Sequence, residues 1–460
     1  MGIESLRDLP AVHEIIPEIE GELSHLKPSQ IKEAARNGIL WARETVVSGG
    51  EMPSSDLIIA RCLEIGLESA KPSMETVINA TGIVLHTALG RASLPAAAIE
   101  AVQRVASGYS VLQWNRETGK RGSRDIHVEE LIKTLTGAQA ATIANNNAGA
   151  TLLVLSAMAA GKEVIVSRGQ LVEIGGAFRI PDVMKQSGCE MVEVGCTNRT
   201  HLRDYENAIT ENTAAILRVH PSNYRIKGFT GEVELAELVK LGRERGIPVI
   251  DDLGAGSLIP LDKFGIPAEP TIAQSIETGA DVVTCSGDKL IGGPQAGIIL
   301  GSQEYLSRIK KHPLARALRV GKLTIAALEA SLRIFLEGAD YIALHHPVYR
   351  SFSRGLESLE ARARKFLSAV DLPEKCSLTV QEMSSYVGSG SLPDYSIPSA
   401  GLSVECPDPE LLARSLRLSS PAVACRVEDG SVKLDLRAVP ECYDDLLGKI
   451  LTDRAGELWA

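Results

Sequence analysis

The residue of this chain with the clearest chemical potential is a lysine in a glycine-rich loop. Lys289 follows the apolar run 280–284, stands three residues after Ser286 and precedes glycines at 292, 293 and 297. A lysine amine beside a carbonyl cofactor can form a Schiff base and later carry a proton. The pattern is typical of a pyridoxal phosphate (PLP) site, with Ser286 near the cofactor phosphate. The alternative is a surface turn with a solvated Asp288–Lys289 pair.

Two upstream segments supply the other parts that a PLP site needs. The run 247–250 predicts a short buried strand that ends in Asp251 and Asp252, and either carboxylate could pair with a pyridinium nitrogen. The predicted strand 141–144 leads into the small-residue turn 145–151 and then a helix, whose unpaired N–H groups suit a phosphate. An ordinary asparagine-rich helix cap is the alternative for that turn.

Two further segments contain arginines, and one pair of these arginines could bind an anion. Arg91 follows Gly90 in the irregular segment 79–91, which also contains His86, a candidate for a buried structural imidazole. Arg316 and Arg319 are three residues apart and therefore share a helix face. Paired guanidinium groups bind phosphate-like oxyanions through two hydrogen bonds each. A solvated basic stripe is the alternative for this pair.

Short apolar strands alternate with helices around these residues. This order predicts an α/β fold with a mostly parallel sheet covered by helices, whose ligands lie at the carboxyl ends of the strands. We expect a helical N-terminal domain (1–72), a large catalytic domain (73–322) and a smaller α+β C-terminal domain (323–460). The predicted strands are 141–144, 163–166, 190–194, 214–219, 248–251, 281–284 and 297–300, and then 378–380, 401–405 and 432–436 in the last domain.

Composition excludes several other classes of protein. The chain has 460 residues and a net charge of −10, which argues against a surface coated with basic groups for nucleic acid, although a local basic face remains open. The 8 cysteines form neither a C-x-x-C pair nor a disulfide pattern, so we expect free thiols and no metal site. The N-terminus has no apolar signal region and no run could span a bilayer, so we expect a soluble, cytoplasmic protein.

A series of motifs runs along nearly the whole chain. The motifs are 9–12 (LPAV), 81–91 (TGIVLHTALGR), 145–147 (NNN), 166–169 (VSRG), 173–181 (EIGGAFRIP), His220 with 222–224 (SNY), 286–289 (SGDK) and 388–393 (GSGSLP). Together they resemble the bacterial selenocysteine synthase family, the L-seryl-tRNA(Sec) selenium transferases. Gln170 departs from the family pattern, where a glutamate is more familiar. Asp251 also departs, because a non-acidic residue is more usual there; this favours Asp252 as the ring partner, with Asp251 as the alternative.

The resemblance implies a fold-type I PLP enzyme that works as a ring-shaped homodecamer built from dimers. It would convert L-seryl-tRNA(Sec) to L-selenocysteinyl-tRNA(Sec) with selenophosphate as selenium donor, through a PLP-bound aminoacrylate (dehydroalanyl-tRNA) intermediate. Lys289 would be the Schiff-base lysine and Asp288 a catalytic neighbour. Arg91, Arg316 and Arg319 would clamp the donor, and the N-terminal helices would grip the tRNA. The candidate cofactor-binding residues are Lys289, Ser286, Asp252, Asn147, Ala148, Gly149 and His220.

Two other functions compete with this interpretation. A PLP-dependent lyase acting on a small amino acid or amino-sugar acid would use the same lysine loop, but it would not need the helical segment before Lys71. A non-catalytic tRNA-binding protein would not need the loop 286–289. The acid that protonates the departing β-hydroxyl stays open between Asp288 and Lys289.

Overall fold

The computed structural model describes residues 8–175 and 178–459 and divides into two compact units, Met1–Thr76 and Val77–Ala460. Gly176 and Ala177, which belong to the motif 173–181, lie outside the described residues. The further division of residues 73–460 into a catalytic and a small domain stays a prediction.

The described part of the first unit, residues 8–76, contains three α-helices, α1 (Val12–Glu20), α2 (Pro28–Val47) and α3 (Ser55–Ala70). The Ser54 side chain caps α3 by accepting a hydrogen bond from the N–H of Leu57. Gly38 allows α2 to approach α3 closely, since a Cβ at this position would lie 2.2 Å from Sγ of Cys62. Apolar residues of all three helices form one buried cluster, which is what their helical spacing predicts.

The second unit contains the remaining strands and helices. The strands are β1 (Val77–Asn79), β2 (Ile83–Leu85), β3 (Ala140–Ala144), β4 (Glu163–Ser167), β5 (Glu173–Ile174), β6 (Phe178–Arg179), β7 (Glu190–Val194), β8 (Thr213–Val219), β9 (Val249–Gly254), β10 (Val282–Ser286), β11 (Gly297–Gly301), β12 (Ser377–Gly388), β13 (Ser391–Glu405), β14 (Ala422–Ala424), β15 (Arg426–Glu428) and β16 (Ser431–Asp435). The helices are α4 (Ala96–Ala106), α5 (Glu129–Thr136), α6 (Asn147–Ala159), α7 (Ile180–Gln186), α8 (Leu202–Ala208), α9 (Leu235–Arg245), α10 (Ile272–Thr278), α11 (Gln303–Lys311), α12 (Pro313–Ala317), α13 (Lys322–Ile334), α14 (Ala339–His345), α15 (Pro347–Ser353), α16 (Leu356–Ala369), α17 (Pro409–Arg417) and α18 (Asp444–Trp459).

A seven-stranded sheet with the order β3-β11-β10-β9-β8-β4-β7 forms the centre of this unit. The pairs from β7 to β10 are parallel, whereas β11 runs antiparallel to both of its neighbours, so the prediction of a mostly parallel sheet is confirmed. Successive residues of β10 contribute to different cores, Val282 to one face and Val283 to the other. Burial on both faces explains the continuous apolar runs of the sequence.

A five-stranded sheet with the order β15-β16-β13-β12-β2 forms a second layer with its own apolar core. The predicted strands 378–380 and 401–405 lie within β12 and β13, and 432–436 overlaps β16. β2 pairs in parallel with β12, and β1 pairs in parallel with β14. The segment 77–85 at the start of the unit is therefore joined to strands from the end of the chain.

The parallel strands place their carboxyl ends at one edge of the central sheet. β9 ends shortly after Asp251 and Asp252, β10 ends at Ser286, and α6 begins at Asn147 directly after β3. This edge carries the candidate site, as expected for a sheet of this class. Within residues 8–175 and 178–459, no helix is both long enough and apolar enough to cross a bilayer.

Candidate active site

A cavity of about 210 Å³ opens at this edge of the sheet. It brings together most of the residues that the sequence singles out: Lys289, Asp288, Ser286, Asp252, Asn147, Ala148, His220 and Arg91. Ile174, Phe178 and Val219 supply apolar parts of the wall. The cavity therefore combines an amine, carboxylates and hydroxyl or amide donors in one partly apolar space.

Lys289 is buried in the wall of this cavity, with 6% of its surface exposed. Burial and the nearby charge of Arg91 lower the pKa of the amine below that of an ordinary lysine. Its loop is folded back by the N–H of Gly287, which donates to the carbonyl of Ala296 at 2.8 Å. A lysine with a lowered pKa spends more time as the neutral nucleophile at neutral pH.

The two neighbouring aspartates of β9 have different partners. Asp251 is fully buried and pairs with Arg218, whose Nη1 lies 2.8 Å from its Oδ1, while the Ser275 hydroxyl donates to its Oδ2 at 2.7 Å. Asp252 lines the cavity instead. Burial raises the pKa of Asp252, although hydrogen bonds from Asn147 and Thr151 act in the opposite direction. The alternation of a strand thus sends one aspartate to the cavity and its neighbour to a buried ion pair.

The start of α6 forms another wall of the cavity. Nδ2 of Asn147 donates to Oδ1 of Asp252 at 2.9 Å, and this contact fixes the carboxylate. The Asn146 side chain caps the helix by accepting the N–H of Gly149 at 2.7 Å. Gly149 is absent from the cavity wall, which Asn146, Asn147 and Ala148 line. Residues 147–151, predicted as a turn, are therefore the first residues of α6, and the alternative of an asparagine helix cap is confirmed at Asn146, whereas anion binding stays a prediction.

His220 is held by a carboxylate that the sequence does not single out. Its Nε2 lies 2.8 Å from Oε2 of Glu269, and Oε1 of the same carboxylate accepts from Nη2 of Arg225 at 2.9 Å. Burial opposes ionisation of Glu269, but these hydrogen bonds and the charges of His220 and Arg225 keep its pKa below the ordinary value. Only the folded chain brings position 269 next to position 220, so no local pattern could have found Glu269.

Arg91 and Asp288 form an ion pair at the mouth of the cavity, with 2.5 Å between Nη1 and Oδ2. Arg91 has φ 63°, a left-handed conformation that is uncommon for a residue with a side chain, and it directly follows Gly90 at φ 87°. Its N–H donates to the carbonyl of His86 at 3.0 Å, which closes the turn. The pair also lines a second cavity of about 330 Å³ outside the first. Arg91 therefore stands between the two spaces, and its strained backbone is consistent with a functional position.

Arg316 and Arg319 do not line either cavity. Both are exposed, at α12 and just beyond it. Burial, together with the charges of Arg319, Arg121 and Arg316, lowers the pKa of Arg124, so these four guanidinium groups lie near one another. The expected three-arginine clamp is therefore not assembled around Lys289 by the described residues of a single chain.

The side chains of the cavity fit PLP. Asp252 can pair with the ring nitrogen, Lys289 can reach the aldehyde carbon, and Ser286 with the start of α6 can hold the phosphate. Oδ1 of Asn147 and Nδ1 of His220 are buried there without a hydrogen-bond partner among the described residues. Such unpaired polar atoms are expected where a polar ligand belongs.

The sequence of this chain is similar to those of one protein family. The family model of L-seryl-tRNA selenium transferase matches residues 77–440. The L-seryl-tRNA(Sec) selenium transferase of Carboxydothermus hydrogenoformans is 45% identical over 461 residues, covering 98% of each chain. That of Methylocella silvestris is 43% identical and covers 98% of this chain and 96% of its own. The solved structure of D-glucosaminate-6-phosphate ammonia-lyase has a TM-score of 0.58 and 22% identity, covering 84% of this chain and 96% of that one, and supports the fold alone.

Proposed function

Because this chain belongs to the L-seryl-tRNA selenium transferase family, we propose that it converts L-seryl-tRNA(Sec) to L-selenocysteinyl-tRNA(Sec). The predicted fold class, fold-type I of the PLP-dependent enzymes, is confirmed by the mostly parallel sheet and the similarity in fold. PLP is the proposed cofactor and selenophosphate the proposed selenium donor. The cytoplasm is the proposed location, in keeping with eight unpaired cysteines.

The observation that carries the proposal is the meeting of Lys289 and Asp252 in one cavity. PLP, when bound, supplies an electron sink for the bonds at the α-carbon of the seryl group. Asp252 would hold a proton on the ring nitrogen, and Asn147 keeps that carboxylate in place through its 2.9 Å hydrogen bond. Asp251 is already paired with Arg218, so Asp252 is the ring partner in this proposal. Ser286, Asn147 and Ala148 would bind the phosphate, and His220, oriented by Glu269, would face the cofactor.

Proton transfer falls to groups around the Lys289 amine. Its lowered pKa favours the neutral amine, which would take the α-proton of the seryl group. Hydroxide is a poor leaving group, so an acid must protonate the β-oxygen, and Lys289 Nζ and Asp288 are the two candidates. Arg91, paired with Asp288, places a positive charge at the cavity mouth, where an anionic donor would arrive.

The donor clamp is proposed to involve Arg316 and Arg319 as well as Arg91. The exposed positions of Arg316 and Arg319 fit an assembly in which the surface of one copy faces the cavity of another, and we propose the homodecamer built from dimers that the family resemblance implies.

The helices before residue 73 are the proposed tRNA-binding domain. Arg36 and Arg43 are both exposed and lie two turns apart on α2, which places them on one face of that helix. Such a face can contact a phosphate backbone although the whole chain is acidic.

A lyase acting on a small amino acid or amino-sugar acid is the less supported alternative. Relatives that are 43% and 45% identical over nearly the whole chain carry the transferase name. The ammonia-lyase shares 22% identity and a fold, which is too little to transfer a substrate.

The test is to supply purified protein with charged seryl-tRNA(Sec) and selenophosphate and to measure selenocysteinyl-tRNA(Sec). Borohydride should trap PLP on Lys289 of the wild type, whereas a Lys289→Ala variant should form neither the adduct nor the product. A borohydride-stable adduct that persists in Lys289→Ala would remove Lys289 from this role. Turnover of free small amino acids without any reaction on seryl-tRNA(Sec) would favour the lyase.

A further inference from the structure

Two buried side chains of a distant segment hold the backbone next to Lys289. His346 directly precedes α15, Tyr349 lies within it, and neither is exposed to solvent. The Tyr349 hydroxyl donates to the carbonyl oxygen of Leu290 at 2.9 Å, and Nε2 of His346 lies 3.0 Å from the carbonyl oxygen of Ile291. Leu290 and Ile291 are the two residues that follow Lys289, so both contacts act on the backbone beside the amine.

These contacts complete the hydrogen bonding of three successive carbonyls. The carbonyl of Lys289 itself accepts the N–H of Gly292 at 2.9 Å, within the loop. The next two carbonyls have their donors in His346 and Tyr349. A buried carbonyl without a donor is costly, so the loss of either side chain would favour a different path for the loop.

The imidazole of His346 also shapes the loop by direct packing. Gly292 has φ 63°, and a Cβ at this position would lie 2.0 Å from Cε1 of His346. A carbonyl oxygen only accepts, so Nε2 must carry the proton in this contact. Burial lowers the pKa of His346 to about 4, which keeps the ring neutral under ordinary conditions.

The segment that carries the two residues is itself firmly held. The Phe335 ring packs against both, with ring centroids 5.4 Å from His346 and 5.5 Å from Tyr349. At the other end of α15, Nη1 of Arg437 donates to the carbonyl oxygens of Ser351 at 2.7 Å and Phe352 at 3.2 Å. The lysine loop is thus tied to a helix that is tied in turn to the C-terminal strands.

We propose that His346 and Tyr349 are positioning residues that fix the direction of the Lys289 amine through the carbonyls of Ile291 and Leu290. Neither residue lines the cavity, so both act through the backbone rather than on a ligand. The proposal rests on the proposed function, in which Lys289 binds the cofactor. Errors of about 1 Å in such a group can cost about 100-fold in rate, so anchoring of this kind matters to the reaction.

Variants that remove one side-chain donor at a time test this role; the Tyr349 hydroxyl also lies 3.4 Å from the hydroxyl of Ser257. Tyr349→Phe removes only the hydroxyl, and His346→Leu removes the donor, whereas His346→Gln retains an N–H that can reach the same carbonyl. Tyr395→Phe is the matched control, because it removes a hydroxyl that donates to the carbonyl of Gly265 at 3.1 Å and not to a carbonyl of the Lys289 loop. Each PLP-loaded protein is compared for the absorbance of bound PLP, the rate of borohydride trapping at Lys289, kcat, KM for seryl-tRNA(Sec) and Tm.

We expect Tyr349→Phe and His346→Leu to slow trapping and to lower kcat by about tenfold or more, with KM unchanged. His346→Gln should recover most of the loss, and Tyr395→Phe should match the wild type. A lower Tm with normal spectrum, trapping and kcat would make the two residues merely structural and overturn the proposal. Equal defects in His346→Gln and His346→Leu would overturn the role of the His346 hydrogen bond. If one variant does not fold, the other decides by the same readouts.

Borohydride trapping of the wild-type protein shows whether a negative result concerns the positioning role or the proposed function. If borohydride traps no PLP at Lys289 of the wild type, the proposed function fails. If the wild type is trapped and active while Tyr349→Phe and His346→Leu behave like it, only the positioning role fails.

Discussion

The edge of the central sheet around Lys289 and the interior of the C-terminal sheet both bury charged side chains, but they satisfy them differently. In the C-terminal sheet, Asp435 accepts from the hydroxyls of Ser385 and Ser399, each at 2.8 Å. Lys433 donates to Gln381 at 2.5 Å and to Ser403 at 2.9 Å. The hydrogen bonds of Asp435 and Lys433 are thus made within the protein itself.

Several polar atoms around the cavity have no hydrogen-bond partner among the described residues. Lys289 and Lys433 are each 6% exposed, yet Nζ of Lys289 has no hydrogen bond among the described residues, and Oδ1 of Asn147 and Nδ1 of His220 are buried without a partner. Unpaired buried groups cost stability, so a fold retains them where a ligand completes the bonding. The hydrogen bonds of Lys433 and Asp435 indicate a structural role for these two residues, whereas the amine of Lys289 is available to a ligand of the cavity.

The largest expected effect is a loss of stability at the buried ion pair between Asp251 and Arg218, which lies beside the cavity. Asp251→Asn should lower the free energy of unfolding by about 3–5 kcal/mol, because it leaves the buried guanidinium of Arg218 without its counter-charge. Urea unfolding measures this change. A double variant that also carries Arg218→Met should recover most of the stability, since neither charge then remains. An unchanged midpoint in Asp251→Asn would mean that the pair is not structural.

The neighbouring carboxylate should show the opposite behaviour. Asp252→Asn should lower kcat on the order of 100- to 1000-fold, because the ring nitrogen loses its charged partner. Its stability should change less than that of Asp251→Asn, since burial already raises the pKa of Asp252 and makes the charged form costly. Steady-state kinetics and urea unfolding of the two variants, measured side by side, test the contrast. A more severe loss of kcat in Asp251→Asn would reverse the assignment of the ring partner.

The sequence predicts the strands of the central sheet and the edge at which they end, because both follow from short-range patterns of residues. The buried strands follow from their apolar runs, and their shared carboxyl edge follows from parallel pairing, so Lys289 and Asp252 could be placed near each other. The choice between the two aspartates needs the register of β8 on β9, which sets Arg218 opposite Asp251. Register comes from packing of the whole sheet, and residue types alone left this choice open.

Contacts that join distant segments were beyond prediction. Glu269 meets His220 across 49 residues, and Tyr349 meets Leu290 across 59. The surface position of Arg316 and Arg319 matches the alternative that the sequence left open, a solvated basic stripe, because helix spacing sets a shared face but not what that face meets.

Replacing Arg316 or Arg319, which lie outside the cavity, should weaken binding of the selenium donor and nothing else. Arg316→Ala should raise KM for selenophosphate by about 10- to 100-fold, since hydrogen bonds to charged groups contribute about 1.5–3 kcal/mol. The absorbance of bound PLP and the affinity for tRNA should not change. Lys311→Ala, which removes an exposed positive charge a few residues away, is the matched control and should have little effect. Loss of PLP from Arg316→Ala would instead make this residue part of the cofactor site.

The smallest expected effect is a change in stability when Lys289 or Lys433, which are equally buried, is replaced by methionine. In protein freed of PLP, Lys289→Met should raise the free energy of unfolding by about 1 kcal/mol, because an amine without hydrogen bonds is replaced by an apolar group of similar length. The pKa of folded Lys289 lies below the ordinary lysine value, so protonation favours the unfolded chain. The gain should therefore be largest near neutral pH and vanish as pH rises towards about 10.4.

Lys433→Met should destabilise the protein, because it breaks two hydrogen bonds and leaves Gln381 and Ser403 without their donor. Urea unfolding at several pH values measures both variants, and a loss of similar size in each would contradict the distinction between an open and a closed network.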